Sequence, residues 1–130
     1  MKTELLYLSY VTILTGVLWI PYILDRVLTC GLLAAVGYPD NSKPQSKWAV
    51  RLMKAHSNAV ENLVVFATLI LLANAMNISN PVIANASMLY FAARVVHAVC
   101  YTLGIPWVRT LAFLTGVVAQ AMVAVQLLSH

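Results

Sequence analysis

The chain has 130 residues, 62% of them apolar and only 9% charged, with eight Lys/Arg against four Asp/Glu and a formal net charge of +4. A soluble domain carries about 25% charged residues, and a chain this short exposes too much surface for so few charges to solvate. The composition excludes a soluble globular domain, a disordered chain and a disulfide-stapled secreted module, and leaves an integral membrane protein. No basic stripe interleaved with aromatics runs through it, so no nucleic acid is expected as a partner. Cys30 and Cys100 each sit in an apolar stretch. Neither belongs to a CxxC or a Cys/His spacing, so both read as small core hydrophobes with no metal site.

The first apolar segment, residues 5–24, carries no charge between Glu4 and Asp25, which matches the roughly 20 residues that cross a hydrocarbon core. Glu4 directly after the Lys2 region, and the length of the apolar run, argue against a cleavable signal. A helix over about residues 4–35 is expected, kinked at Pro21 because proline removes a backbone donor. Residues 37–47, GYPDNSKPQSK, read as the one strongly polar loop. A second helix is expected over about 48–76, followed by a tight turn in which Asn80 caps and Pro81 opens a third helix over about 82–103. Gly104 and Pro106 break that helix, and a fourth covers about 107–128. Short connections make consecutive helices antiparallel, so the expected fold is all-α, a single transmembrane domain over 1–130 built as a four-helix up-down bundle. Ala112-xxx-Gly116 on the last helix permits a close helix approach.

Charge sets the expected orientation. Arg26, Lys43, Lys47, Arg51 and Lys54 flank the first connection and Arg109 the third, whereas Lys2 and Glu4 are the only formal charges on the other side. Connections one and three are therefore expected in the cytoplasm and both termini on the non-cytoplasmic side.

Polar residues inside the spans carry the functional signal. With Arg51 at zero and about 100° per residue, Lys54, Asn58, Glu61 and Asn62 fall at about 300°, 340°, 280° and 20°, one face about 100° wide, while His56 points away. On the third helix Arg94, His97, Tyr101 and Tyr90 share a face in the same way, and Arg109 opens the fourth helix at the same membrane side. A charged side chain near the bilayer centre costs ~2.5–3.5 kcal/mol on insertion scales, so Arg94 and Glu61 must be paired or solvated. Two resolutions stay open. Glu61 pairs with Arg94 as structural glue, or the surplus of Arg51, Lys54, Arg94 and Arg109 over Glu61 marks a cavity for an anionic ligand. The tryptophans Trp19, Trp48 and Trp107 read as interfacial or packing residues, and Gln120 and Gln126 as hydrogen-bonding within the bundle or at the interface.

The segment Lys54-Ala-His56-Ser-Asn58-Ala-Val-Glu61-Asn62, with Ala93-Arg94-Val-Val-His97-Ala-Val-Cys-Tyr101 and Arg109, resembles the membrane-associated proteins in eicosanoid and glutathione metabolism (MAPEG). The resemblance spans essentially the whole chain and is closer to bacterial-type members, themselves similar to microsomal glutathione transferases. It implies a homotrimer in which glutathione lies between subunits, held by Lys54, Asn58, Glu61, Arg94, His97 and Tyr101. Arg26, Arg51 and Asn62 are further candidates for the same site. Arg109 is implied as the group that stabilises the glutathione thiolate, with Tyr101 as a thiol donor. Lys54 stands where many members have arginine, which replaces a planar bidentate clamp with a point charge.

What the resemblance implies is a transferase or peroxidase of the bacterial inner membrane. It uses glutathione as co-substrate, needs no metal, and attacks lipophilic electrophiles or lipid peroxides drawn from the membrane lipids. A second reading is a non-catalytic subunit or binding module on the same scaffold. A third, a proton-coupled transporter using Glu61, is disfavoured because the surrounding cations would keep Glu61 ionised and repel cationic drugs.

Overall fold

The computed structural model describes residues 1–41 and 43–130, so Ser42, in the loop expected over 37–47, lies outside the described residues. The described residues form six helices, α1 (Thr3–Val17), α2 (Trp19–Cys30), α3 (Leu32–Val36), α4 (Lys47–Ala75), α5 (Pro81–Leu103) and α6 (Pro106–Leu128). Thr3–Cys30, Lys47–Ala75, Pro81–Leu103 and Pro106–Leu128 are each long and apolar enough to cross a membrane. The outward faces agree, since Val64, Val65, Leu71, Leu111, Leu114 and Val118 are all exposed, as lipid-facing positions are.

Local chemistry explains where the helices stop. Pro21 has no N–H to give the carbonyl of Val17, and the first span is interrupted at Leu18, between α1 and α2. The helix expected to run on to about Ala35 instead ends at Cys30, because Gly31 takes φ 84° and ψ 158° and starts the separate short α3. Glycine adopts that conformation without the steric cost of a Cβ. Between α2 and α4, the buried carboxylate of Asp25 accepts from the Ser46 backbone N–H at 3.1 Å, the Ser46 hydroxyl at 2.5 Å and the Gln45 amide at 3.4 Å. A side chain from the preceding helix thus satisfies donors at the α4 N-terminus, where the helix cannot satisfy them itself.

The α4–α5 turn places Asn77 at φ 58°, a left-handed conformation that asparagine tolerates better than most residues. Ile78 N–H then reaches back to the Ala73 carbonyl at 2.8 Å. Asn80 Oδ1 accepts from the Ile83 N–H at 3.0 Å and its Nδ2 donates to Gln126 Oε1 at 2.9 Å, so one side chain caps α5 and ties it to the end of α6.

α5 is the central element. It packs most extensively on α6 and also against α4 and α1, while α2 packs on α4 and α3. The half of the bundle nearest the α4–α5 turn holds the apolar core, with Leu8, Val11, Phe66, Ile70, Ile83, Ala119 and Val123 packed around Tyr90. Phe66 stacks on Tyr90 with ring centroids 3.9 Å apart. Asn58, Arg94, His97, Tyr101 and Arg109 occupy the other half.

Replacing Asn80 by alanine should cost about 1–2 kcal/mol through the lost cap, with a further loss from the bond to Gln126. Asn80→Asp, which keeps the cap acceptor, should cost less; thermal melts of the purified protein in detergent distinguish the two.

Candidate functional site

The α5–α6 turn builds the site. Gly104 caps α5 at φ 77° and ψ 30°, its N–H meets the Tyr101 carbonyl at 3.1 Å, and the Ile105 N–H meets the Cys100 carbonyl at 2.9 Å. This paired closure is the usual glycine-ended helix stop, and Pro106 starts α6 two residues later. Two residues between helices bring the last turn of α5 against the first turn of α6. The Arg109 guanidinium consequently lies over the Tyr101 ring, 4.5 Å from its centroid, a distance at which the ring face attracts a cation.

Next to this pair is a recess of about 280 Å³ lined by Asn58 of α4, His97 and Tyr101 of α5, and Arg109, Thr110 and Phe113 of α6. His97 packs edge-on against Tyr101 with centroids 5.4 Å apart, and the Phe113 ring lies 6.5 Å from His97. Behind them Arg94, only 3% exposed, donates from Nη2 to Asn58 Oδ1 at 2.8 Å and meets His97 Nδ1 at 3.4 Å. Neither partner is a carboxylate. Within the chain Arg94 and Glu61 do not pair: Arg94 takes Asn58, and Glu61 stays on the exposed face of α4.

The remaining expected residues divide by what they touch. Asn62 donates to the Asn58 carbonyl at 2.9 Å and braces the asparagine that holds Arg94. Lys54, like Glu61, is exposed on α4, one turn from the recess-lining Asn58 and on the outside of the bundle. Arg51 turns elsewhere, its Nε donating to the Thr102 carbonyl at 2.8 Å, where a cation offsets the negative end of α5. Arg26 is likewise drawn to a backbone oxygen, that of Ala35, at 3.3 Å. Neither Arg51 nor Arg26 lines the recess. His56 faces away from it and shares a 2.8 Å hydrogen bond with the Tyr22 hydroxyl, fastening α2 to α4.

Two lining residues escaped the sequence reading. Thr110 follows Arg109 directly, and Phe113 lies one turn beyond Arg109 on the same face. The i, i+4 spacing from Arg109 was the available signal for Phe113. For Thr110 there was none, because a lone threonine whose hydroxyl bonds the Pro106 carbonyl at 3.1 Å looks like any intrahelical threonine.

Comparison with known proteins bears on this arrangement. A sequence model of the MAPEG family matches residues 8–129. The chain belongs to the MAPEG family. MAPEG proteins are four-helix membrane bundles, in agreement with the four spans described here, and the family includes glutathione-dependent enzymes together with non-catalytic members. Among individual curated proteins no match is found.

In this MAPEG chain Asn58 is the direct support of the buried guanidinium. Asn58→Ala should lower stability by about 1.5–3 kcal/mol, the value of a hydrogen bond to a charged group, visible as a reduced Tm in detergent. Thr110→Ala, which removes only an intrahelical bond, should leave the melt within about 0.5 kcal/mol of the parent.

Proposed function

We propose that the chain is a membrane-embedded glutathione transferase or peroxidase in which Arg109 stabilises the glutathione thiolate. The observation that carries this reading is one of charge. Arg109 lines the recess and Arg94 lies directly behind it, while no carboxylate is among its lining residues. Glutathione carries two carboxylates and one ammonium, and gains a third negative charge when its thiol ionises. A guanidinium near the sulfur favours the thiolate, as cations do for protein thiols, and a dry, preorganised site strengthens the effect. In the same reading Asn58, Arg94 and His97 form the inner wall, with Asn62 as a brace.

Lys54 and Glu61 complete the proposed site from the outer face of α4. An exposed ammonium and an exposed carboxylate on an otherwise apolar surface are poorly suited to lipid. A second copy of the chain packed there would cover both, with Glu61 pairing the glutathione ammonium and Lys54 a carboxylate. A homotrimer, with connections one and three in the cytoplasm of a bacterial inner membrane, is part of the proposal. Arg26 and Arg51, spent on backbone carbonyls, are assigned to the fold and leave the ligand to the remaining groups.

The chemistry follows from the thiolate. Attack on an electrophilic carbon forms a thioether and expels the leaving group. Attack on a lipid hydroperoxide breaks the O–O bond to give the alcohol and a sulfenic acid, which a second glutathione converts to the disulfide and water. The bilayer supplies either lipophilic substrate laterally.

The capture of Arg26 and Arg51 by backbone oxygens trims the charge surplus and favours one second reading, a non-catalytic MAPEG subunit or binding module. Glutathione titration separates the two. Thiolate absorbance at about 240 nm should grow on binding, and it should be abolished in Arg109→Ala while the oligomer stays intact. Binding without absorbance supports the binding module, and absorbance unchanged in Arg109→Ala removes Arg109 from the role. Glu61→Gln should weaken glutathione by about tenfold, one lost charge-assisted contact; an unaltered Kd by calorimetry would show that Glu61 does not meet the ligand.

A further inference from the structure

Beneath the recess, toward the apolar core, α4, α5 and α6 enclose a second polar layer. Two buried side-chain atoms there, the Tyr90 hydroxyl and Arg94 Nε, have no hydrogen-bond partner among the described residues. Tyr90 is 1% exposed and lies one turn from Arg94 on the same face of α5. α6 passes over both: a Cβ placed on Gly116 would lie 3.7 Å from the Tyr90 ring and 3.8 Å from Arg94 Cδ. One turn further along α6, Gln120 donates from Nε2 to the Asn62 carbonyl at 3.0 Å, and its side chain lies beside the Tyr90 hydroxyl. Asn62 reaches Asn58 Oδ1 at 3.3 Å, and the same oxygen accepts from Arg94. The contacts describe an open ring: hydrogen bonds join Arg94, Asn58, Asn62 and Gln120, and the break lies at Tyr90, where Tyr90 Oη and Arg94 Nε are both unpaired.

The atoms at the break determine what closes it. Arg94 Nε–H can only donate, whereas a phenol can donate or accept. A charged donor left without an acceptor in an apolar interior is costly. One water can accept from both Arg94 and Tyr90 and donate to Gln120 Oε1, making the three bonds usual for a buried water. A halide could accept both protons but has none to give Gln120.

We propose that one water molecule sits between Tyr90 and Arg94 and closes this ring, which makes Tyr90 and Gln120 positioning residues for the Arg94 guanidinium. Holding Nε as well as Nη2 fixes the plane of the guanidinium before a ligand arrives, the preorganisation that a precise polar site requires. The positioning role rests on the glutathione reading above; the water does not.

The test uses the full-length protein in detergent with 15N-labelled arginine, the Arg94 Nε–H resonance being assigned by its loss in Arg94→Lys. The wild type should show a cross-peak from this proton to a long-lived water, and Tyr90→Phe should lose it. Tyr90→Phe and Gln120→Met should each weaken glutathione binding roughly 2- to 10-fold, the scale of one net hydrogen bond. Phe66→Leu, which removes the ring stacked on Tyr90 but keeps the hydroxyl, should retain both cross-peak and affinity. A wild type without the cross-peak, or a cross-peak that survives in Tyr90→Phe, overturns the water. Loss of the cross-peak with unchanged affinity overturns the positioning role. If the wild type does not bind glutathione, the positioning role falls with that reading, and the cross-peak still decides the water.

Discussion

A guanidinium buried among membrane helices has to be given hydrogen-bond acceptors by the protein, and the bond from Arg94 to Asn58 is where this chain meets that requirement. It joins α5 to α4 at the depth of the recess and sets which faces of the two helices meet. His97, one turn along from Arg94, is then turned into the recess, and Asn62, one turn along from Asn58, supports the acceptor. A stripe of four or five polar residues that would be unstable in lipid becomes the organising seam of the polar half of the bundle.

The two turns at opposite ends of α5 divide the labour. At the α4–α5 end, Asn77, Asn80 and Gln126 shape and tie the helix ends, and stacked Phe66 and Tyr90 fill the centre of the apolar core. At the α5–α6 end, Gly104 allows a two-residue connection that sets Arg109 against Tyr101. A longer connection would have let the two side chains drift apart. The apolar core and the polar recess therefore sit at different levels of one bundle.

Charge is allocated with similar economy. Arg26 and Arg51 each serve a backbone carbonyl, and Asp25 serves the α4 N-terminus. Arg94 and Arg109 remain at the recess, and Lys54 and Glu61 on the outer face of α4. Membership of the MAPEG family gives this distribution a context, because the family includes enzymes that handle an anionic thiol.

Much of this architecture could be read directly from residue order. Long uncharged runs can only be spans, since an apolar chain in a bilayer must satisfy its backbone internally. Asn80–Pro81 and Gly104–Pro106 mark helix ends by their own dihedral and donor chemistry, and the 3.6-residue repeat places Arg94, His97 and Tyr101 on one face. What residue order could not reveal was which partner each polar group would choose. Arg51 shares a helical face with Asn58, yet the carbonyl of Thr102 captures it; Glu61 has the charge to neutralise Arg94, yet Asn58 holds that guanidinium. Such choices depend on the distance between helices, their rotation and the reach of each side chain. Those quantities exist only once α4, α5 and α6 have packed.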